Sequence, residues 1–476
     1  MKGILLLVAY GAVMLLATHI FARKGTASED FHVGNRHMGT FSTAMSVAAT
    51  WIWAPALFTS AEKAYTSGWP GLFWFLVPNV LCLLLFIPFA QRIRDRMPEG
   101  ITLSGFMEKT YENQNVGRIY RIQLAALTVL STTVQLLAGG KILASVTGLG
   151  FTTTTTILAL IAYSYSRISG IRASMLTDVI QMLFMLAACA LFVPWAVASQ
   201  GGLFCIADGL GGITGEYLNL FDSKGIQVLM GFGLPTAIGL VSGPFGDQCF
   251  WQRAFSADRD RIGRSFSLGA VAFAIVPLSM GILGFIAAGS GYTASDTGVV
   301  NLEIVGNLFP AWATVPFLLM LVSGLLSTVD SNLCAAASLT TDLNITRSLS
   351  GSGKERLSRI TMIALLAVSI LIAHIPGLTV THMFLFYGTL RATTLLPTVL
   401  TLLGRKLRPS GVVAGVAVAL VTGLPVFAYA TMNQISLLKS ASSLYTVLVS
   451  GIIALAVTAA HRGCTTAREE IGRAHV

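Results

Sequence analysis

FSTAMSVAATWIWAPALFTSAEKAY at 41–65 and IQVLMGFGLPTAIGLVSGPFGDQCFW at 226–251 are both apolar enough to enter a bilayer, and both are interrupted where a helix cannot run on. Pro55 stands near the centre of the first, while Pro235 and then Gly243-Pro244-Phe245-Gly246 interrupt the second. Proline removes a backbone donor and clashes with the preceding turn, and glycine lets the chain leave helical geometry. Unwound backbone at membrane depth survives only where it is buried in protein or lines a cavity. Its free carbonyls can then hold a cation, and the ends of the half-helices add partial charges.

Outward from these breaks, apolar runs recur along the whole chain. Thirteen spans are expected, at about 4–22, 40–66, 71–91, 118–147, 150–166, 172–198, 226–250, 265–289, 309–341, 359–375, 378–403, 411–430 and 443–460. Each meets the roughly 17–25 residues needed to cross a hydrocarbon core. Spans 2–6 and 7–11 form two sets of five, each opening on a broken helix. An odd number per set makes the second copy enter from the opposite side, as in transporters built from inverted repeats. The implied divisions are 1–39, 40–199 and 200–403, then 404–469 and a tail at 470–476.

Composition agrees with a polytopic all-α membrane protein. Hydrophobic residues make up 54% of the 476 positions and charged residues 11%, against roughly 25% charged in soluble domains. This excludes a soluble enzyme, a disulfide scaffold and a nucleic-acid binder. All but six of the 31 Lys and Arg, Arg253 among them, fall on one set of alternate connections; the exceptions are Lys2, Lys63, Lys141, Lys224, Arg391 and Lys439. The positive-inside rule makes that set cytoplasmic, with the N-terminus outside and the C-terminus inside a plasma (inner) membrane. The segment ITLSGFMEKTYENQ at 101–114 reads as a short amphipathic helix at the interface. The last seven residues, EIGRAHV, read as a translated sequencing-adapter oligonucleotide and are set aside. Only Cys205 is expected on the oxidising side, so no disulfide is expected.

Polar residues inside the spans point to ions. VSGLLSTVDSNLCAAASLTTDL at 322–343 places Gly324, Ser327, Thr328, Asp330 and Ser331 within two helical turns. Ser327 and Ser331 share one face and Gly324 and Thr328 another. Hydroxyls and carbonyls suit a hard monovalent cation, although Ser and Thr also serve as interhelical packing polar groups. Asp178, in SMLTDVIQM, needs a counter-charge, an ion or a proton. Arg391, in FLFYGTLRATTLLP, pairs with Asp330 or Asp247 or holds an anionic solute. The seven histidines form no catalytic or zinc-binding motif. No enzyme activity or cofactor is expected.

STVDSNLCAAASLTTDL at 327–343, SGIRASMLTDVIQ at 169–181 and DQCFWQRAF at 247–255 resemble the signature segments of the sodium/solute symporter family. That resemblance implies a five-plus-five inverted-repeat (LeuT-like) fold, with one helix before the repeats and two after. It places a sodium site on the carbonyls of Ala49, Ile52 and Gly324 and the hydroxyls of Ser327 and Thr328. A second ion site, as in some members, falls on Asp178, Ser327, Asp330 and Ser331, where Asp330 replaces a residue that is often small or hydroxylic. ATWIWAPALFTSAEKAY and FGDQCFWQRAF look most like the urea-transporting branch. Solute contacts are then expected from Thr50, Trp51, Trp53, Gln135, Phe245, Asp247, Gln248 and Tyr387, with Trp251 as an interfacial anchor if the tryptophans only pack. The expected activity is Na⁺-coupled symport of a small polar solute, urea or a related amide, by alternating access. The expected partners are the solute and the lipid bilayer. Proton-coupled symport of a small organic anion held by Arg391 and a passive solute channel are the alternatives.

Overall fold

In the computed structural model, residues 2–21, 28–342, 346 and 348–474 are described. Arg23, Lys24 and Arg347 of the basic set, and residues 475–476 of the tail, lie outside them. Among the described residues the one extended pairing is an isolated parallel bridge between Met38 and Ala257; the rest is helix, turn and connector. Ten helices among them are long and apolar enough to cross a membrane, so the all-α polytopic reading holds.

Three expected spans are not among the ten: 40–66, which is divided into Thr40–Trp51, Ala54–Leu57 and the start of Thr59–Arg96, and 4–22 and 150–166. The helix Lys2–Phe21 has its apolar stretch at Leu7–Ile20 among the residues whose side chains are described. The helix Phe151–Ser169 carries five consecutive threonines, Thr152–Thr156, which lower its hydropathy. Those hydroxyls bond back to their own helix, Thr155 Oγ1 to Phe151 O at 3.0 Å and Thr156 Oγ1 to Thr152 O at 2.7 Å. Bonding of this kind is how such a helix tolerates an apolar environment.

The expected spans at 40–66 and 71–91 are joined without a loop. Helix Thr59–Arg96 runs through Gly68, whose φ of 56° and ψ of −151° turn the chain sharply. A Cβ there would stand 2.5 Å from the Leu210 carbonyl. Trp69 N donates to that carbonyl at 2.8 Å and Ile213 N donates to Tyr65 O at 2.7 Å. The 199–225 connector is therefore docked on this corner.

Both sequence breaks are present, the first just before Pro55 and the second around Pro244. Helix Thr40–Trp51 stops at Ile52 and Trp53, and a short helix Ala54–Leu57 begins with Pro55 in its first turn. Proline needs no partner there. In the other span a π-turn at Leu229–Gly233 absorbs Pro235, which opens helix Leu234–Val241 without interrupting it. The break falls at Ser242–Gly246, and helix Gln248–Ser256 restarts under an Asp247 cap. A third interruption, at Thr393–Thr394, divides helices Val380–Ala392 and Leu395–Leu402. The helix Ala311–Thr341 is continuous over 31 residues, about 46 Å at 1.5 Å per residue, so it crosses at a tilt. The amphipathic helix is present at Leu103–Tyr111, N-capped by Thr102.

Candidate ion and solute site

Where helix Thr40–Trp51 ends, the carbonyls of Ala49, Thr50 and Ile52 meet hydroxyls of Ala311–Thr341, with Ala49 O also accepting from Ile52 N at 3.2 Å. Ser327 Oγ donates to Ala49 O at 2.9 Å and lies 3.0 Å from Gly324 O. Thr328 Oγ1 lies 3.3 Å from both Thr50 O and Ile52 O and 3.4 Å from Gly324 O. All five oxygens expected for sodium thus converge, and all are buried. Ligands around a hard cation at about 2.4 Å stand roughly 3–3.5 Å from one another, which is the spacing of this cluster. Turning two hydroxyl protons outward would present an all-oxygen cradle. The residues fit a monovalent cation.

A charged layer adjoins this cluster, and its centre was missed in the sequence. Arg253, placed above among the connection charges, has 0% side-chain exposure, as does Asp178, and the two pair at 2.9 Å. Arg253 Nε donates to Ser46 Oγ at 2.9 Å, Nη1 to Cys249 O at 3.1 Å and Nη2 to Ser331 Oγ at 2.6 Å. Ser46 Oγ also donates to Asp178 Oδ2 at 2.6 Å. Asp330 accepts from Ser174 Oγ at 2.6 Å and Thr177 Oγ1 at 3.1 Å, and its Oδ1 lies 3.4 Å from Ser331 Oγ. Of the expected second-ion set, Asp178 and Ser331 are thus joined through a guanidinium. Thr50 Oγ1 touches Ser331 Oγ at 3.0 Å, linking this layer to the broken helix.

At the second break, Asp247 does two jobs. Its Oδ1 accepts from Cys249 N at 3.0 Å, capping helix Gln248–Ser256. Its Oδ2 accepts from Arg391 Nη2 at 3.0 Å and from Tyr387 O–H at 2.7 Å. Of the alternatives for Arg391, the pair with Asp247 is the one present. The guanidinium carbon lies 5.0 Å from the Trp51 ring centre, 5.5 Å from Trp53 and 3.8 Å from Tyr387, within cation–π reach of all three. Gly246 makes room for it, since a Cβ there would stand 2.9 Å from Arg391 Cα. Arg391 Nε and Trp53 Nε1 are both buried without a hydrogen-bond partner. The adjoining cavity, lined by Pro235, Thr236, Gly239, Phe384 and Gly388, measures about 10 Å³, room for one water at most. The cage is closed.

The remaining expected contacts divide. Gln135 Oε1 accepts from Ala54 N at 2.8 Å and so caps the short helix after the first break. Trp51 Nε1 donates to Asn79 O at 3.2 Å, fixing its indole beside the cage. Phe245 instead packs against Phe86 and Phe89. Gln248 bonds Leu103 N at 3.2 Å and Ile101 O at 2.9 Å, tying down the amphipathic helix rather than facing the tryptophans. Trp251 is fully buried and donates to Phe245 O at 2.8 Å, so it is not an interfacial anchor. In the sequence Arg253 carries no signal that separates it from the other arginines of the basic connections.

The model of the Sodium:solute symporter family matches residues 31–458. The urea-proton symporter of Oryza sativa subsp. japonica is 24% identical, covering 93% of this chain and 67% of its own length. The sodium/pantothenate symporter of Escherichia coli (strain K12) is 24% identical, with 91% of each chain covered. A solved Na⁺-coupled sialic acid symporter in a substrate-bound outward-open state superposes with a TM-score of 0.74 at 17% identity, over 95% of this chain and 98% of its own. That likeness shows a shared fold. With the match running from the first connector into the last helix, the chain belongs to the sodium:solute symporter family, as a multi-pass membrane protein of secondary active symport.

Proposed function

We propose that the chain couples Na⁺ entry to uptake of a small neutral polar solute of the urea or simple amide class by alternating access. The observation that carries this is the convergence of Ala49 O, Ile52 O, Gly324 O, Ser327 Oγ and Thr328 Oγ1 at the first break. A cation there draws the broken helix onto Ala311–Thr341 and holds the solute side of the break in place. The names of the rice and E. coli relatives support a urea-class solute and sodium coupling respectively. The family also supports the thirteen-span, five-plus-five arrangement with N-terminus outside and C-terminus cytoplasmic.

The solute class follows from the cage. Arg391 is neutralised by Asp247, which disfavours a net anion. Two buried donors, Arg391 Nε and Trp53 Nε1, have no acceptor, and an orphaned donor costs about 1–3 kcal/mol. A carbonyl oxygen answers both, an amide N–H answers Asp247, and the indoles form a slot for a planar group. The closed cavity means that loading requires the cage to open first.

Driving force is adequate. At 100 mV one Na⁺ supplies ~2.3 kcal/mol electrically, and a tenfold gradient adds ~1.4 kcal/mol. Together these support roughly 500-fold accumulation of a neutral solute. Uptake of radiolabelled urea into proteoliposomes under an inward Na⁺ gradient tests the reading. Accumulation above equilibrium that vanishes when choline replaces Na⁺ is expected. Equilibration without accumulation would make the protein a channel, and accumulation that follows a proton gradient alone would replace sodium.

A further inference from the structure

We propose that a cleft between the second half of helix Lys2–Phe21 and the basic ends of helices Phe151–Ser169 and Gly351–Ala373 is a site for one anionic phospholipid. The lipid lays an acyl chain on Leu15 and Leu16 and its phosphodiester on Arg167 and Arg359. The cleft measures about 780 Å³, and its wall passes from Leu15 and Leu16 to His19 within about one helical turn. Gly11 sets the register, since a Cβ there would stand 3.0 Å from Ile161 Cγ1. Further along the same two helices, His19 lines the cleft opposite Arg167 and Ile168. Leu15 and Leu16 are 38% and 59% exposed, and Ile360 and Ile363, next to Arg359, are 54% and 51% exposed. Apolar surface of that extent around a basic end marks contact with a membrane. The cleft shares no residue with the sodium cradle or the Arg391 cage.

Protein contacts position both arginines and leave donors over. Arg359 Nε donates to Arg167 O at 3.3 Å, capping the last turn of Phe151–Ser169, and its Nη2 donates to Glu355 Oε2 at 3.2 Å. The Arg167 guanidinium carbon lies 5.8 Å from the Tyr163 ring centre, and among the described residues no carboxylate pairs with it. Two guanidiniums against one carboxylate leave one positive charge, which the single negative charge of a phosphodiester matches. The planar fork of an arginine suits phosphate oxygens, and basic pockets between membrane helices are where anionic headgroups bind. A soluble phosphate compound would leave the leucine wall bare. A zwitterionic lipid would bring a second cation to a cleft that already has a surplus. Both arguments select an anionic lipid.

Native mass spectrometry of the purified chain, titrated with dioleoylphosphatidylglycerol, counts the bound lipid. One phosphatidylglycerol per chain should be retained at concentrations where dioleoylphosphatidylcholine is not, and glycerol phosphate should not displace it. Arg167→Gln/Arg359→Gln should weaken retention at least about tenfold, since each cation at an anionic headgroup is worth roughly a fivefold change in affinity. Arg405→Gln/Lys406→Gln, which removes two exposed cations from a different connection, should leave retention unchanged. Equal retention of the two lipids, unchanged retention in Arg167→Gln/Arg359→Gln, equal weakening in both double variants, or displacement by glycerol phosphate would each overturn the proposal. If Arg167→Gln/Arg359→Gln does not fold, Arg167→Gln alone decides, because its guanidinium makes no hydrogen bond among the described residues. A loss of about fivefold in that variant supports the site, and wild-type retention overturns it.

Discussion

Arg391 and Asp247 meet at 3.0 Å across the second break, 144 positions apart in the chain and nearly shielded from solvent. The contact joins the last turn of helix Val380–Ala392 to the residue that caps helix Gln248–Ser256. One carboxylate thus caps the restarting half-helix and holds the guanidinium beside Trp51, Trp53 and Tyr387.

Breaking this pair from one side leaves a buried charge, at a cost of about 3–5 kcal/mol. Arg391→Ala and Asp247→Asn should each lower the melting temperature and the folded yield. The doubly neutral Arg391→Met/Asp247→Asn protein should recover much of that stability yet still fail to take up solute. Size-exclusion profiles and uptake assays on the three proteins check both halves; full transport by the double variant would place the solute elsewhere.

Gln135 is a positioning residue for the first break. Its Oε1 is the acceptor for Ala54 N, and an orphaned buried N–H costs about 1–3 kcal/mol. Gln135→Leu should raise the Na⁺ concentration for half-maximal uptake several-fold, because the carbonyls that precede the break shift with it. Gln135→Glu keeps an acceptor and should stay close to wild type. Equal Na⁺ dependence in all three would show that the cap does not set the ion site.

His32, in the connector helix Ser28–Val33, gives a pH dependence. Burial, aided by the Lys354 charge, lowers its pKa to about 4, and neither ring nitrogen has a hydrogen-bond partner. The unfolded chain takes up this proton near pH 6.5 and the folded chain does not. Stability from this group is therefore intact above about pH 6.5 and falls as pH drops towards 4, by on the order of 3 kcal/mol. His32→Leu should flatten the decline in melting temperature between pH 7 and pH 5. An identical decline in both proteins would assign it to other groups.

The two breaks were legible because proline and glycine act locally: their effect on the backbone is written at the position itself. Ser327 and Thr328 came as ligands from the family resemblance, and their hydroxyls do meet the carbonyls of Ala49, Thr50 and Ile52. Arg253 was not legible. Connections were sorted by charge, and an arginine that enters the bundle looks in sequence like any residue of a basic connector; only the packing of Asp178, Ser46 and Ser331 around it reveals the difference. Gln248 failed for a related reason. It follows the break directly, but helical rotation from the Asp247 cap turns it to Ile101 and Leu103, away from the cage. Pro235 does not mark the break, which falls about two turns later at Ser242–Gly246; the proline sits in the first turn of Leu234–Val241, after a π-turn.

The proposed coupling requires a sodium ion between the first broken helix and the Ser327 and Thr328 hydroxyls. Equilibrium ²²Na⁺ binding to purified wild type and to the Ser327→Ala/Thr328→Ala protein, at matched folded fraction, measures this directly. Loss of saturable binding, or at least a tenfold weaker affinity, is the predicted result in the variant. Indistinguishable binding curves would contradict the site and the coupling built on it.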